Sequence, residues 1–329
     1  HRLRHTATAH GRMIPTVSLA DPGAGDALVA AFRRYGFASI VDHGIDPELR
    51  RAVFAQSKAF HALPNEAKSK IALDRRHRGY IAPDVSTDRA STVEAAERPN
   101  RSASFMMMRE DGPDSEPVAR GLYLAGPNQW PTGLPAFRST LEEYHDRMVD
   151  LGRRVVRLFE ISLGLATGQL LSAFELPTTW LRLLHYPPVA PDEDPMLFGS
   201  APHRDFGAFT LLAQDDVGGL EVRTTDGAEP AVELDVSELV SMSATCCRTG
   251  QTGNCCRPRI GSTIAGAAQR YSVLPFFDPS VDTVIELSDV CVERAGGQAK
   301  YGSCRCSPTS YADSSASYDR HQPADRTDP

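Results

Sequence analysis

The sequence predicts an α+β fold in which helices come first and a β-sandwich or barrel follows. Two observations predict it. Apolar residues recur at helical spacing over 26–35 and, at greater length, over 136–171. Past Pro177 the period drops to two, and short runs at 181–186, 208–212 and 220–223 are separated by Pro, Gly and Asp. The 329 residues suffice for one large domain or two modest ones, and 41% hydrophobic with 23% charged residues is the composition of a globular chain. Against 35 Lys+Arg stand 42 Asp+Glu, a net charge of −7, which argues against nucleic acid or an anionic membrane as partner. No apolar run approaches the roughly 20 residues of a membrane span, and the first residues carry no signal-peptide apolar region. A cytoplasmic, enzyme-like protein is the expectation.

Residues 1–12 are basic, His-rich and unpatterned, and read as an unstructured extension. Ile14-Pro15-Thr16-Val17 reads as a short edge strand, where a proline is tolerated. Leu28, Val29, Ala31 and Phe32 mark a helix that Gly36 stops, and Phe37 to Val41 reads as a strand. After a His43-Gly44 turn, Asp46 caps a second helix with Pro47 in its first position, running to about Leu63. Residues 64–135, rich in Pro, Gly, Ser, Arg and Asp, read mostly as loop. From 136 to 171, Leu141, Tyr144, Met148, Leu151, Val155 and Phe159 fall in one apolar stripe, that of a core-facing helix.

The sharpest chemical signal is His203-Arg204-Asp205 at a strand edge. Residues i and i+2 of a strand share a face, so His203 and Asp205 offer an imidazole and a carboxylate to one ion, with Arg204 turned away. Two His and one carboxylate on one face of a metal is the donor set of non-haem Fe(II) oxygenases. The same residues imitate two protein-kinase motifs, H-R-D and D-F-G. In kinases those lie apart with separate Asp residues, whereas here both share Asp205 and no Gly-rich phosphate loop precedes them.

Three stretches carry a resemblance: L-R-L-L-H-Y-P-P at 181–188, H-R-D-F-G-A-F-T-L-L-A-Q-D-D-V-G-G-L-E-V at 203–222, and R-Y-S at 270–272 followed by F-F-D-P at 276–279. With Y-G-F-A-S-I-V-D-H-G-I at 35–45, they resemble the isopenicillin N synthase-like family, Fe(II)-dependent oxygenases of which most use 2-oxoglutarate. The resemblance implies a double-stranded β-helix (jelly roll) over about residues 178–290, packed on N-terminal helices. It implies Fe(II), 2-oxoglutarate as co-substrate and O2, with a small organic substrate oxidised as succinate and CO2 are released. His203 and Asp205 would be iron ligands. Arg270 and Ser272 would hold the distal carboxylate of 2-oxoglutarate, a task suited to a forked guanidinium and a hydroxyl, and Tyr186 would line the same pocket.

The chain departs from the family where the third ligand belongs. A His is expected shortly before Arg270, near Ile260, yet none occurs from 204 to 320. Instead 241–261 reads S-M-S-A-T-C-C-R-T-G-Q-T-G-N-C-C-R-P-R-I-G, with neither strand alternation nor helical period and with four of the 7 cysteines, all of which lie between Cys246 and Cys306. Synonymous codons for this stretch, read from the third base of the Ser241 codon, give N-V-G-D-M-L-Q-N-W-T-N-W-Q-L-L-S-T-P-H-R-V. That is the family's missing run, with its His codon straddling Arg259 and Ile260. A local frameshift, natural or introduced in reading the gene, is therefore expected to enter near 235–241 and to be restored near Ala267. The segment 97–110 also differs from the family's substrate-side sequence, so substrate choice does not carry over.

The division expected is thus an extension (1–12), an N-terminal dioxygenase-type region with long loops (13–135), a helix plus jelly-roll core (136–290, anomalous over 241–266) and an irregular tail (291–329). The literal chain is expected to have lost a core strand along with the third ligand, to fold poorly and to turn over little. Two alternatives stand beside this. One is a non-catalytic remnant binding 2-oxoglutarate or a partner. The other is a zinc-stabilised module built on the cysteines, although adjacent Cys pairs fit zinc-ligand spacing badly. Oligomeric state and physiological substrate are not written in the sequence.

Overall fold

The structure, a computed structural model, describes residues 14–86, 99–188, 198–203, 205, 208–223, 238–243, 259–262, 268–285, 293 and 304–305. The extension 1–12, most of the anomalous stretch and nearly all of the tail lie outside the described residues. β1 (Thr16–Ser18) follows Pro15, as an edge strand permits, and α1 (Ala24–Arg34) ends where Gly36 takes a φ of 82°. β2 (Phe37–Val41) lies parallel to β1. α2 (Pro47–His61) begins as expected, with Asp46 Oδ1 accepting the Glu48 N–H at 2.9 Å.

The described part of 64–135 is mostly irregular, as expected, with four short elements within it. It holds α3 (Asn65–Ser69), β3 (Gly79–Ile81), β4 (Ala103–Met108) and α4 (Glu116–Ala119). All six residues of β4 are buried, so no polar–apolar alternation marks it in the sequence. Arg78, fully buried, ties this region together by donating to the carbonyls of Arg76, Leu124 and Arg109 and to Asn128 Oδ1. α5 (Phe137–Leu163) stops short of the expected end near Leu171, because Gly164 terminates it at a φ of 67° and only a 3₁₀ turn at Leu171–Phe174 follows.

Then come β5 (Thr178–Tyr186), β6 (Ser200–His203), β7 (Phe209–Gln214), β8 (Leu220–Arg223), β9 (Leu239–Ser243), β10 (Arg259–Ser262), β11 (Arg270–Asp278), β12 (Val284–Ile285) and β13 (Cys304–Arg305). Among the described residues, eight strands form one sheet in the order β1-β2-β9-β7-β11-β5-β4-β3, and β6-β10-β8 form a second. This is the jelly-roll architecture. The expectation that 241–266 costs a core strand is corrected: β9 and β10 occupy its two ends, and β10 is the central strand of the smaller sheet.

Register decides which face of the large sheet does what. Leu181 and Leu183 of β5, Leu211 and Ala213 of β7, and Val273 and Phe277 of β11 join the apolar core with α1, α2 and α5. Their neighbours Arg182, Leu184 and Tyr186, Thr210, Leu212 and Gln214, and Arg270, Ser272 and Leu274 therefore lie on the opposite face. There Leu212 packs with Leu220 of β8, so this face looks onto the smaller sheet.

Candidate active site

β6 ends at His203 and Asp205 follows two residues later, so both side chains come to one side. His203 Nε2 and Asp205 Oδ1 are 3.3 Å apart. His203 Nδ1 lies 2.8 Å from the Ala201 carbonyl oxygen, which can only accept, so Nδ1 carries a proton and Nε2 is the nitrogen turned toward the Asp205 carboxyl. The Asp205 side chain is 4% exposed, and its Oδ2 accepts the Thr210 hydroxyl at 2.6 Å, leaving Oδ1 beside the imidazole. Two cis ligands of a first-row metal, each at about 2.1 Å, stand about 3 Å apart. The pair therefore fits two positions of a divalent ion without rearrangement.

The second constellation forms where β11 runs between β5 and β7. Arg270 is the register partner of Tyr186, and Ser272 faces Leu184 on one side and Gln214 on the other. The Arg270 guanidinium carbon sits 4.4 Å from the Tyr186 ring centroid, and Nη2 donates to Gln214 Oε1 at 3.4 Å. The Ser272 hydroxyl donates to the Tyr186 hydroxyl at 3.4 Å. Arg270, Ser272 and Tyr186 are all buried, so a cation, a hydroxyl and a phenol converge on a water-poor spot suited to a carboxylate.

Sequence reasoning missed the partners that hold these groups. Thr210 and Gln214 lie on the same face of β7, a fact that period-two counting along 208–214 would have shown. The D-D-V-G-G run, which carries much of the resemblance, is a structural turn between the sheets. Asp215 accepts the Tyr271 N–H at 2.6 Å and the Val217 N–H at 3.2 Å, and Gly218 and Gly219 take φ values of 80° and 88°. Burial pushes the Asp215 carboxyl up, against the pull of these N–H groups and of Arg270.

Ile260, near which a third ligand is expected from the sequence, is the register partner of His203 across the β6–β10 pair. Among the described residues no three His, Cys, Asp or Glu side chains cluster as a metal site. Cys246, Cys247, Cys255, Cys256, Cys291 and Cys306 lie outside the described residues, as do Arg204, Phe206 and Gly207. Among the described residues no helix is long and apolar enough to cross a membrane.

Residues 14–133 match the family described as non-haem dioxygenase in morphine synthesis N-terminal, and residues 177–246 match the 2OG-Fe(II) oxygenase superfamily. The chain is 33% identical over 270 residues to the 2-oxoglutarate-dependent dioxygenase citB of Monascus ruber, covering 78% of this chain and 79% of that one. It belongs to the Fe(II)/2-oxoglutarate-dependent dioxygenases. The dioxygenase tropC of Talaromyces stipitatus is 31% identical over 318 residues, covering 88% and 92% of the two chains. Among solved structures, a full-length Neurospora crassa protein in complex with alpha-KG and thymine superposes with a TM-score of 0.82 at 23% identity, over 96% of this chain and 100% of that one. That likeness bears on the jelly-roll fold.

As a dioxygenase of this family the chain uses Fe(II), 2-oxoglutarate and O2. Its sheet geometry sets the two constellations a fixed distance apart. Thr210, which holds Asp205, pairs with Phe276, whereas Gln214, which holds Arg270, pairs with Ser272. Four residues along β7 amount to about 13 Å.

Proposed function

We propose that this chain is an oxygenase of a small organic substrate in which His203 and Asp205 bind Fe(II) while Arg270, Ser272 and Tyr186 bind 2-oxoglutarate. The observation that carries the reading is the 3.3 Å approach of His203 Nε2 to Asp205 Oδ1, with Nδ1 already committed to the Ala201 carbonyl. When bound, iron and 2-oxoglutarate supply the oxidising chemistry. The protein's share is to orient the imidazole through Ala201, hold the Asp205 carboxyl in place through Thr210, and pin the distal carboxylate in a dry pocket.

With no His between 204 and 320, the chain as written offers two protein ligands where its relatives offer three. Solvent takes the open position, metal binds more weakly, and turnover is low. The superfamily match ends at residue 246, inside the anomalous stretch, which agrees with a local frameshift there. Codons in the gene that are incompatible with the shifted reading would remove that explanation.

Anaerobic titration with Fe(II) and 2-oxoglutarate, followed by a succinate assay in air, tests the whole. Weak iron binding lost in His203→Ala and Asp205→Ala, with slow succinate release, is the expected result. Binding of 2-oxoglutarate without any iron-dependent succinate would favour the non-catalytic remnant, and stoichiometric zinc removed by chelator would favour the cysteine module. Robust turnover would refute the two-ligand account.

A further inference from the structure

The segment around residue 100, set apart above only because it differs from the family's substrate-side sequence, touches the metal-facing strand directly. Asn100 is 4% exposed, and its side-chain Oδ1 accepts the Ala201 N–H at 2.8 Å. Its Nδ2 donates to Ser86 Oγ at 3.4 Å, its own N–H donates to the Ser86 carbonyl at 2.8 Å, and its carbonyl accepts the Asp84 N–H at 2.9 Å. The next two residues continue alongside: Arg101 N–H donates to the Phe198 carbonyl and Ser102 N–H to that of Gly199, each at 3.2 Å.

Among the described residues β6 is an edge strand, paired on one side by β10. An edge strand leaves alternate N–H groups facing away from its sheet, and Ala201, 6% exposed, is too buried for water to serve reliably. Asn100 supplies that missing acceptor. Ala201 is thus gripped at its N–H by Asn100, while its carbonyl holds the His203 Nδ1–H at 2.8 Å. Two hydrogen bonds separate the N-terminal region from the His203 imidazole. Removing a group that orients a ligating imidazole through its other nitrogen typically costs about 10–100-fold in metal affinity.

We propose that Asn100 is a positioning residue that sets the orientation of the His203 imidazole through Ala201. The inference rests on reading His203 as a metal ligand. The amide suits the place because one oxygen accepts from Ala201 while the nitrogen donates to Ser86. A carboxylate keeps the first contact, and the Ser86 hydroxyl can then donate in place of accepting.

Cobalt(II) titration of the full chain in the presence of 2-oxoglutarate, read by visible absorbance, tests it, alongside thermal melts of the metal-free proteins. Asn100→Ala is expected to weaken cobalt binding about tenfold or more and to alter the absorbance envelope. Asn100→Asp should restore both. Ser86→Ala, which removes only the outer contact, should lower the melting temperature without changing cobalt affinity. Should Asn100→Ala not fold, Asn100→Thr takes its place with the same expected loss. Wild-type affinity and spectrum in the Ala or Thr variant, or failure of Asp to rescue, would overturn the proposal. His203→Ala separates the two levels: if it leaves cobalt binding intact, the metal reading itself fails. If it abolishes binding while Asn100→Ala does not, only the role of Asn100 fails.

Discussion

His203 at the end of β6 stands directly opposite Ile260 on β10 in the antiparallel register of the smaller sheet. Cross-strand partners of an antiparallel pair are near neighbours, so, with His203 and Asp205 holding metal as proposed, position 260 is the place to add a third ligand. Ile260→His is expected to tighten Fe(II) or Co(II) binding tenfold or more, about 1.4 kcal/mol, and to raise iron-dependent succinate release. Arg259→His, one residue out of that register, should do neither. Equal metal affinity in Ile260→His and the parent would show that β10 does not complete the site.

The helical half was legible because its signals are local. Asp46 before Pro47 marks a cap, Gly36 and Gly164 mark ends, and Leu141 to Phe159 mark a stripe, and each needs only neighbours along the chain. β4 was not legible, since A-S-F-M-M-M is buried throughout and lacks both alternation and β-branched residues. For the site, His203 and Asp205 announced themselves by an i, i+2 spacing. Arg270 and Ser272 likewise share a strand face. Their supports did not: Thr210 is five residues from Asp205, Gln214 is 56 from Arg270, and Asn100 is 101 from Ala201. Those contacts exist only once sheet register is set. β10 is a different case, for its residues give no strand signal, and its place is fixed by pairing with β6 and β8 on either side.

Arg270 lies over the Tyr186 ring with Nη2 on Gln214 Oε1, an arrangement that holds a planar fork in one orientation. Lysine keeps the charge but neither stacks nor forks. Arg270→Lys is expected to weaken 2-oxoglutarate binding by tenfold or more while metal affinity stays at the parental value. Calorimetric titration of 2-oxoglutarate checks this, and unchanged affinity would remove Arg270 from the co-substrate pocket.

The Thr210 hydroxyl donates to Asp205 Oδ2 at 2.6 Å within a buried setting. A hydrogen bond to a charged group in such a place contributes about 1.5–3 kcal/mol. Thr210→Val keeps the shape and deletes the donor, so metal-free stability should fall by about 2 kcal/mol and metal affinity should drop with it. Thr210→Ser should recover most of both. Denaturant melts and cobalt titration report the two effects, and a valine variant matching the parent in each would mean Asp205 is held by other contacts.

Gly152 sits mid-helix in α5, where alanine ordinarily stabilises by up to about 1 kcal/mol. Here a Cβ would meet the Phe277 ring at 2.6–2.8 Å. That ring stacks on Phe174 with centroids 5.0 Å apart and belongs to the strand bearing Arg270, so it has little room to retreat. Gly152→Ala is expected to destabilise by about 1–3 kcal/mol, the reverse of the helical preference. A melt that rises with this substitution would mean that α5 slides freely over β11.

Burial at the C-terminal end of α2, against β5, drives the pKa of His61 down to about 3, helped by the neighbouring His185 and by Lys68 and opposed by the Leu183 carbonyl. Burial likewise lowers His185 and His145. Unfolded histidine takes its proton near pH 6.5. Between about 3 and 6.5 the unfolded chain therefore binds more protons than the folded one, and stability rises with pH. The contribution is complete above about 6.5 and is lost as pH falls, at about 1.4 kcal/mol per pH unit for His61 alone. Urea melts from about pH 7.5 to about pH 5.5, spanning the unfolded histidine pKa, should show this loss. His61→Gln, whose amide can still donate to the Leu183 carbonyl, should flatten the slope by close to one proton. An unchanged slope in that variant would mean that His61 already titrates normally in the folded protein, and hence that α2 does not seal the sheet beneath it.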